Sequence, residues 1–100
     1  AVSGSGPAYV WYFMDAIIKA ARKMGFSESE SELLVGQTFR GAIELFNKTE
    51  FTSQEWIARV SSKGGTTEAA MKEMRDRVVH EDIIAGVNAA LDRAIELGNT

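Results

Sequence analysis

The sequence predicts an all-α protein of five helices. Apolar residues recur at spacings of three and four, and two capping boxes stand ahead of such runs. No alternating apolar–polar pattern of useful length occurs. The chain has 100 residues, of which 45% are hydrophobic and 25% are charged. This length and composition fit one globular domain that can bury a core of its own, rather than a disordered chain.

The composition also excludes several classes of function. The chain has no cysteine and one histidine, His80, so disulfides, thiolate metal sites and zinc-protease helices are ruled out. The net charge of −3 argues against nucleic acid as a partner, because phosphate binding needs clustered Lys and Arg. No apolar run approaches the roughly 20 residues that span a bilayer, and no signal peptide opens the chain. We therefore expect a cytoplasmic protein that binds no metal, no nucleic acid and no membrane.

The first predicted helix runs from about Pro7 to Met24. Residues 3–6 are Gly/Ser-rich and predict a flexible entry, and Pro7 suits the first helical position, where its missing N–H costs nothing. Gly25 is a good left-handed terminator. Residues 9–14 are apolar without a break, which indicates a helix buried on most sides. A chain this short can hardly surround such a helix with its own core.

Capping boxes mark the starts of the next two helices. Residues 27–30 read Ser-Glu-Ser-Glu and predict a second helix that continues to about Phe46. Residues 52–55 read Thr-Ser-Gln-Glu and predict a short third helix that ends at about Ser61.

Two further helices complete the chain. After the loop of residues 61–65, we expect Thr66 or Thr67 to cap the fourth helix. The charged residues 75–77 mark a break or bend. The last helix is predicted from about His80 to Leu97, where the following glycine stops it.

The loop before the fourth helix is the segment best suited to ligand binding. Gly64 and Gly65 allow backbone N–H groups to turn inward, and Thr66 and Thr67 add two hydroxyl groups. Unpaired N–H groups at the positive end of a helix make an anion site that suits a carboxylate or a phosphate. A capped turn without a ligand is equally compatible with these residues.

Together, these residues resemble the C-terminal domain of pyrroline-5-carboxylate reductase. That family opens the domain with Ser-Gly-Ser-Gly-Pro-Ala-Tyr, which stands here at residues 3–9. Its loop signature, Val-x-Ser-Pro-Gly-Gly-Thr-Thr, is similar to residues 60–67, and its closing Glu-Leu-Gly is similar to residues 96–98. The resemblance covers essentially the whole chain.

The resemblance implies a five-helix, all-α domain like the C-terminal domain of 6-phosphogluconate dehydrogenase. Two such domains interlock as a homodimer or build a larger oligomer, which would explain the apolar residues 9–14. The resemblance also implies an N-terminal Rossmann domain, absent from this chain, that binds most of the NADPH or NADH. A chain that begins with Ala rather than Met fits either a processed protein or an excised fragment. The resemblance favours a fragment, and without the Rossmann domain we expect residues 1–100 to be inactive alone.

The implied reaction belongs to proline biosynthesis. Hydride passes from NADPH or NADH to the C=N carbon of 1-pyrroline-5-carboxylate, which gives L-proline. By resemblance, the N–H groups of Gly65, Thr66 and Thr67 clamp the substrate carboxylate, and the Thr67 hydroxyl is the one candidate catalytic group. The implied substrate-binding residues are Val60, Ser62, Gly64, Gly65, Thr66 and Thr67, and the implied neighbours of the nicotinamide are Ser5, Gly6 and Pro7.

Two positions depart from the family pattern. Lys63 stands where the family usually has Pro, a change that loosens the loop by about 0.4–1 kcal/mol. We hypothesise that the Lys63 cation offsets this loss beside a bound carboxylate. Arg77 and Val78 stand where a Gly pair often precedes the last helix, so we expect a more continuous helix there.

Alternative functions remain open. The chain could be a non-catalytic helical dimerisation module, or a diverged paralogue that reduces a related cyclic imino acid. A third alternative is the α domain of another β-hydroxyacid-type dehydrogenase, although no motif supplies the catalytic Lys that such domains usually present. The intact Gly-Gly-Thr-Thr segment favours the reductase, whereas Lys63 leaves room for the module.

Overall fold

The computed structural model describes residues 2–98 and confirms the all-α prediction. Within this range there is no strand, and the helices number five. They are α1 (Val2–Lys23), α2 (Glu28–Lys48), α3 (Ser53–Val60), α4 (Thr66–Asp76) and α5 (Val79–Gly98). The described residues divide into two compact units: residues 6–52 form one, and residues 2–5 and 53–98 form the other.

Helix α1 begins earlier than the sequence pattern predicts. It starts at Val2, so residues 3–6 are helical rather than a flexible entry, and Pro7 lies inside the helix. The prediction that Pro7 occupies the first helical position is therefore wrong. The proline φ of about −65° is itself a helical value, and its missing N–H leaves a single carbonyl, that of Ser3, without a helical donor. The loss falls in the first turns, where the helix can continue through it.

Helix α1 ends as predicted, at a left-handed glycine. Gly25 has a φ of +109°. The N–H of Phe26 donates to the carbonyl of Ala21 at 3.3 Å, and the N–H of Gly25 donates to the carbonyl of Arg22 at 3.0 Å. These two bonds form a Schellman motif, which satisfies carbonyls that the end of the helix would otherwise leave unpaired.

Helix α2 begins with the predicted capping box. The Ser27 Oγ accepts the N–H of Glu30 at 3.1 Å, and the Glu30 Oε1 accepts the N–H of Ser27 at 2.9 Å. The backbone bond from Ser27, and then its hydroxyl bond, lower the pKa of the Glu30 carboxyl below its ordinary value. The box thus ties the ionised form of Glu30 to the start of the helix.

Helices α4 and α5 are separated by a sharp turn, so the expected more continuous helix is wrong. Val78 adopts a φ of +53°, a left-handed conformation that β-branched residues rarely take. Its N–H donates to the carbonyl of Arg75 at 3.0 Å, and its carbonyl accepts the N–H of Asp82 at 3.1 Å. Because α4 and α5 contact each other, the chain must reverse between them, and one left-handed residue provides the turn.

The single chain buries few side chains. Among the described residues, Val35 and Ser31 are buried, and large apolar side chains are exposed on every helix. Trp11 and Tyr12 of α1 are 66% and 76% exposed. The expectation that the chain's length suffices for a core of its own is therefore wrong. Apolar surface of this extent is typical of an interaction site.

Candidate functional site

The loop between α3 and α4 is a tight turn of residues 62–65. The N–H of Gly65 donates to the carbonyl of Ser62 at 3.0 Å. Gly64, the third residue of the turn, has a φ of +75°, whereas Lys63, the second, is not among the residues with positive φ. This combination is the pattern of a type II β-turn, in which the third position requires glycine.

The two glycines meet two different physical needs. Gly65 has a φ of −88° and a ψ of −179°, a conformation open to any residue. A Cβ at Gly65, however, would lie 2.6 Å from the Ser62 Oγ and 3.1 Å from the Ser62 carbonyl oxygen. A Cβ at Gly64 would meet nothing within 4 Å. Gly64 is therefore needed for its left-handed backbone, whereas Gly65 avoids the close contact that a side chain would make with Ser62.

Gly65 is also the N-cap of α4, and no side chain caps this helix. The expectation that Thr66 or Thr67 caps α4 is wrong, because both residues lie inside it, at its first and second positions. The first N–H groups of a helix have no acceptor within it. The structure shows no other acceptor for the Thr66 and Thr67 N–H groups among residues 2–98. These two N–H groups lie at the positive end of the helix, where negative charge is stabilised.

The Gly65 N–H differs from these two because it already closes the turn onto the Ser62 carbonyl. The resemblance assigns it to the substrate carboxylate together with Thr66 and Thr67. In this geometry the Gly65 N–H can bind an anion only if it donates to the anion and to the Ser62 carbonyl at the same time. That role of Gly65 stays a prediction.

Glu68 makes a contact with the turn that the sequence analysis did not predict. Its Oε1 accepts the N–H of Gly64 at 3.1 Å. Glu68 is the third residue of α4. In a capping box, a Glu at this position accepts the N–H of the N-cap residue. Here it accepts the N–H of Gly64, the residue before the N-cap. The signal was present in the sequence, because a Glu three residues after a glycine N-cap follows the capping-box spacing.

Hydrogen bonds also fix the end of α3 in front of the turn. The Ser61 Oγ donates to the carbonyl of Ile57 at 2.6 Å, and the Ser61 N–H donates to the carbonyl of Ala58 at 3.2 Å. Val60, the last residue of α3, is exposed, as are Ser62 and Lys63, whereas Gly65 and Thr67 are half-buried. Within the described range, no acidic side chain pairs with Lys63.

The substrate-binding candidates are neighbours along the chain. They run from Val60, the last residue of α3, to Thr67, the second residue of α4. Ser5, Gly6 and Pro7 lie in the first turns of α1, where Ser5 and Gly6 are half-buried and Pro7 is exposed. Their place beside a nicotinamide stays a prediction.

Neither a metal centre nor a membrane span is found in the part of the chain that the structure describes. Residues 2–98 contain no group of three or more His, Asp or Glu side chains arranged to hold a metal ion. None of the described helices combines the length and the apolar character that crossing a bilayer requires.

The chain is similar to known proteins over almost its whole length. The family described as pyrroline-5-carboxylate reductase dimerisation matches residues 1–97. The pyrroline-5-carboxylate reductase of Pseudomonas aeruginosa is 39% identical over 97 residues, which cover 97% of this chain and 36% of that protein. Pyrroline-5-carboxylate reductase 2 of Bacillus subtilis is 33% identical over 97 residues, which cover 97% of this chain and 35% of that protein.

Two solved structures share the fold. A pyrroline-5-carboxylate reductase from Coxiella burnetii has a TM-score of 0.88 and 39% identity, with 93% of this chain and 34% of that chain covered. The Plasmodium falciparum pyrroline carboxylate reductase with NADP bound has a TM-score of 0.89 and 32% identity, and the match covers 92% of this chain and 35% of that chain. The chain therefore spans about a third of the length of the relatives it matches.

Proposed function

The chain belongs to the pyrroline-5-carboxylate reductase dimerisation family, and from this membership we propose that it is the dimerisation and substrate-binding part of a reductase. The proposed reaction is reduction of 1-pyrroline-5-carboxylate to L-proline. The observation that carries the proposal is the family match over residues 1–97. The complete Gly-Gly-Thr-Thr segment at the start of α4 supports a substrate-binding role over that of a dimerisation module without catalysis.

The start of α4 is the proposed carboxylate site. The N–H groups of Thr66 and Thr67 donate to the two carboxylate oxygens, and the positive end of the helix adds electrostatic stabilisation. The Thr67 side chain is half-buried, and its hydroxyl lies near the reacting ring. Val60 walls the pocket, and Ser62 and Gly64 shape the loop.

NADPH or NADH supplies the hydride, and the chain's own residues supply orientation and electrostatics. This division fits a site built from backbone N–H groups and hydroxyls. A relative whose structure is described with NADP bound supports a pyridine nucleotide cofactor. The proposed Rossmann domain binds most of the cofactor, and Ser5, Gly6 and Pro7 border its nicotinamide.

A second copy of the chain is the proposed partner. The exposed apolar side chains of α1, among them Trp11 and Tyr12, need a cover that one chain does not provide. We expect the protein to interlock as a cytoplasmic homodimer or as a larger oligomer built from such dimers. Light scattering coupled to size-exclusion chromatography tests this, and a clean monomer would refute the assignment of α1 to an interface.

Activity of the full-length protein tests the function. We expect oxidation of NADPH or NADH that depends on added 1-pyrroline-5-carboxylate, and no turnover from residues 1–100 alone. Thr67→Ala is expected to lower kcat/KM about tenfold or more, whereas Lys72→Ala, on the exposed side of α4, is expected to stay within about twofold. A dimer without reductase activity would instead identify a dimerisation module.

The same assay separates the diverged paralogue from the reductase. Cyclic imino acids with a six-membered ring are compared with 1-pyrroline-5-carboxylate at equal enzyme concentration. The ratio of their kcat/KM values measures the specificity. A higher kcat/KM on the six-membered ring would identify the paralogue.

A further inference from the structure

The hydrogen bond between Glu68 and Gly64 bears on how the turn before α4 is oriented. The Gly64 N–H, which donates to the Glu68 Oε1 at 3.1 Å, belongs to the central peptide of the turn, the one that joins Lys63 to Gly64. Type I and type II β-turns differ by a flip of this central peptide. A bond to its N–H therefore selects between the two forms.

The flip would change what the turn presents to a bound anion. In the observed form, the central N–H points to the Glu68 side of the turn, at the start of α4. In the flipped form, the carbonyl of Lys63 would take that place. There the carbonyl oxygen would face the Glu68 carboxylate with no donor between them. Together these two acceptors would repel a bound carboxylate more than the present arrangement does, because the Gly64 N–H now offsets part of the Glu68 charge.

We propose that Glu68 is a positioning residue of the substrate loop, which holds the peptide between Lys63 and Gly64 in the orientation that keeps the carboxylate site open. This inference rests on the proposed function. Gly65 as N-cap offers no side chain that could do the same.

The kinetic test uses Glu68→Ala and Glu68→Gln in the full-length enzyme. Glu68→Ala removes the acceptor, and we expect KM for 1-pyrroline-5-carboxylate to rise about five- to tenfold while kcat changes less than about twofold. Glu68→Gln keeps a side-chain oxygen at the same reach, and we expect it to restore most of the KM. Glu73→Ala is the matched control, because Glu73 lies on the same helix and pairs with Arg77 instead.

Amide hydrogen exchange of Gly64, followed by NMR with ¹⁵N-glycine labelling, gives a readout that does not need turnover. We expect the Gly64 amide to exchange about tenfold faster in Glu68→Ala and near the wild-type rate in Glu68→Gln and Glu73→Ala. An unchanged exchange rate in Glu68→Ala would overturn the inference. So would an unchanged KM, or a lowered KM, which would identify Glu68 as a competitor of the substrate carboxylate.

The two proposals fail in different ways. Absence of wild-type turnover with 1-pyrroline-5-carboxylate would refute the proposed function. Normal wild-type turnover together with an unchanged KM in Glu68→Ala would refute the positioning role alone.

Discussion

The Gly65 N–H donates a 3.0 Å hydrogen bond to the carbonyl of Ser62, and the two residues approach so closely that a Cβ on Gly65 would lie 2.6 Å from the Ser62 Oγ. Any residue with an N–H could make this bond, whereas a Cβ at position 65 would require Ser62 to shift. Substitution at Gly65 consequently tests packing against the turn rather than backbone conformation.

Gly65→Ala is expected to lower kcat/KM of the full-length enzyme about tenfold, which corresponds to about 1.4 kcal/mol. The Ser62 hydroxyl can rotate away from the new Cβ, but the Ser62 carbonyl oxygen at 3.1 Å belongs to the backbone and must shift by a few tenths of an ångström, which disturbs the turn. The measurement is cofactor oxidation at varied 1-pyrroline-5-carboxylate. The double variant Ser62→Ala/Gly65→Ala removes the 2.6 Å contact but leaves the 3.1 Å one, so it is expected to recover little of the loss. A Gly65→Ala enzyme with wild-type kcat/KM would contradict the close approach.

Lys63→Ala is expected to raise KM for the imino acid about two- to fivefold, because an exposed cation beside a carboxylate contributes a modest attraction. Lys63→Arg keeps the charge and is the matched control. The difference between Ala and wild type is expected to shrink in about 0.5 M salt, since exposed charges are screened. An unchanged KM in Lys63→Ala would retire the hypothesis that this cation replaces the missing proline.

The sequence predicted those features that depend on one residue or on two residues a few positions apart. The left-handed end of α1 needs a residue without Cβ, and Gly25 provides it. The start of α2 needs a hydroxyl and a carboxylate three residues apart, and Ser27 and Glu30 provide them. The free N–H groups at the start of α4 were predictable for the same reason, since they depend on neighbours along the chain.

Features that depend on competition between neighbours were not predictable in this way. Thr66 is a good N-cap residue, but the turn closed by Gly65 moves the helix start ahead of it. Pro7 is favoured at a first helical position, yet the helix extends five residues before it. Large apolar side chains stay exposed on every helix, so the length of the chain was a poor guide to the size of its core.

Val78→Gly is expected to stabilise the protein. An L-residue in the left-handed region costs about 1–2 kcal/mol, and the added freedom of glycine in the unfolded chain returns about 0.5–1 kcal/mol of this. The net gain is therefore between about 0 and about 1.5 kcal/mol, measured from the midpoint of urea unfolding at fixed protein concentration. Val78→Ala keeps the left-handed penalty of a Cβ and is expected to gain less. A Val78→Gly protein less stable than wild type would show that the Val78 side chain contributes more than its strained backbone costs.

The capping box of α2 makes stability depend on pH through Glu30. The folded-state pKa of Glu30 is lowered, first by the backbone hydrogen bond from Ser27. The stability that Glu30 contributes is therefore fully present above its ordinary pKa of 4.5 and is lost as the pH falls through the lower folded-state pKa. We expect Glu30→Gln to lose less stability than wild type between about pH 6 and about pH 3.5, as followed by helical circular dichroism during urea unfolding. Ser27→Ala keeps the backbone bond and is expected to retain most of the pH dependence. An equal loss of stability in Glu30→Gln and in wild type would show that the capping box does not bind the ionised form of Glu30 in preference to the neutral form.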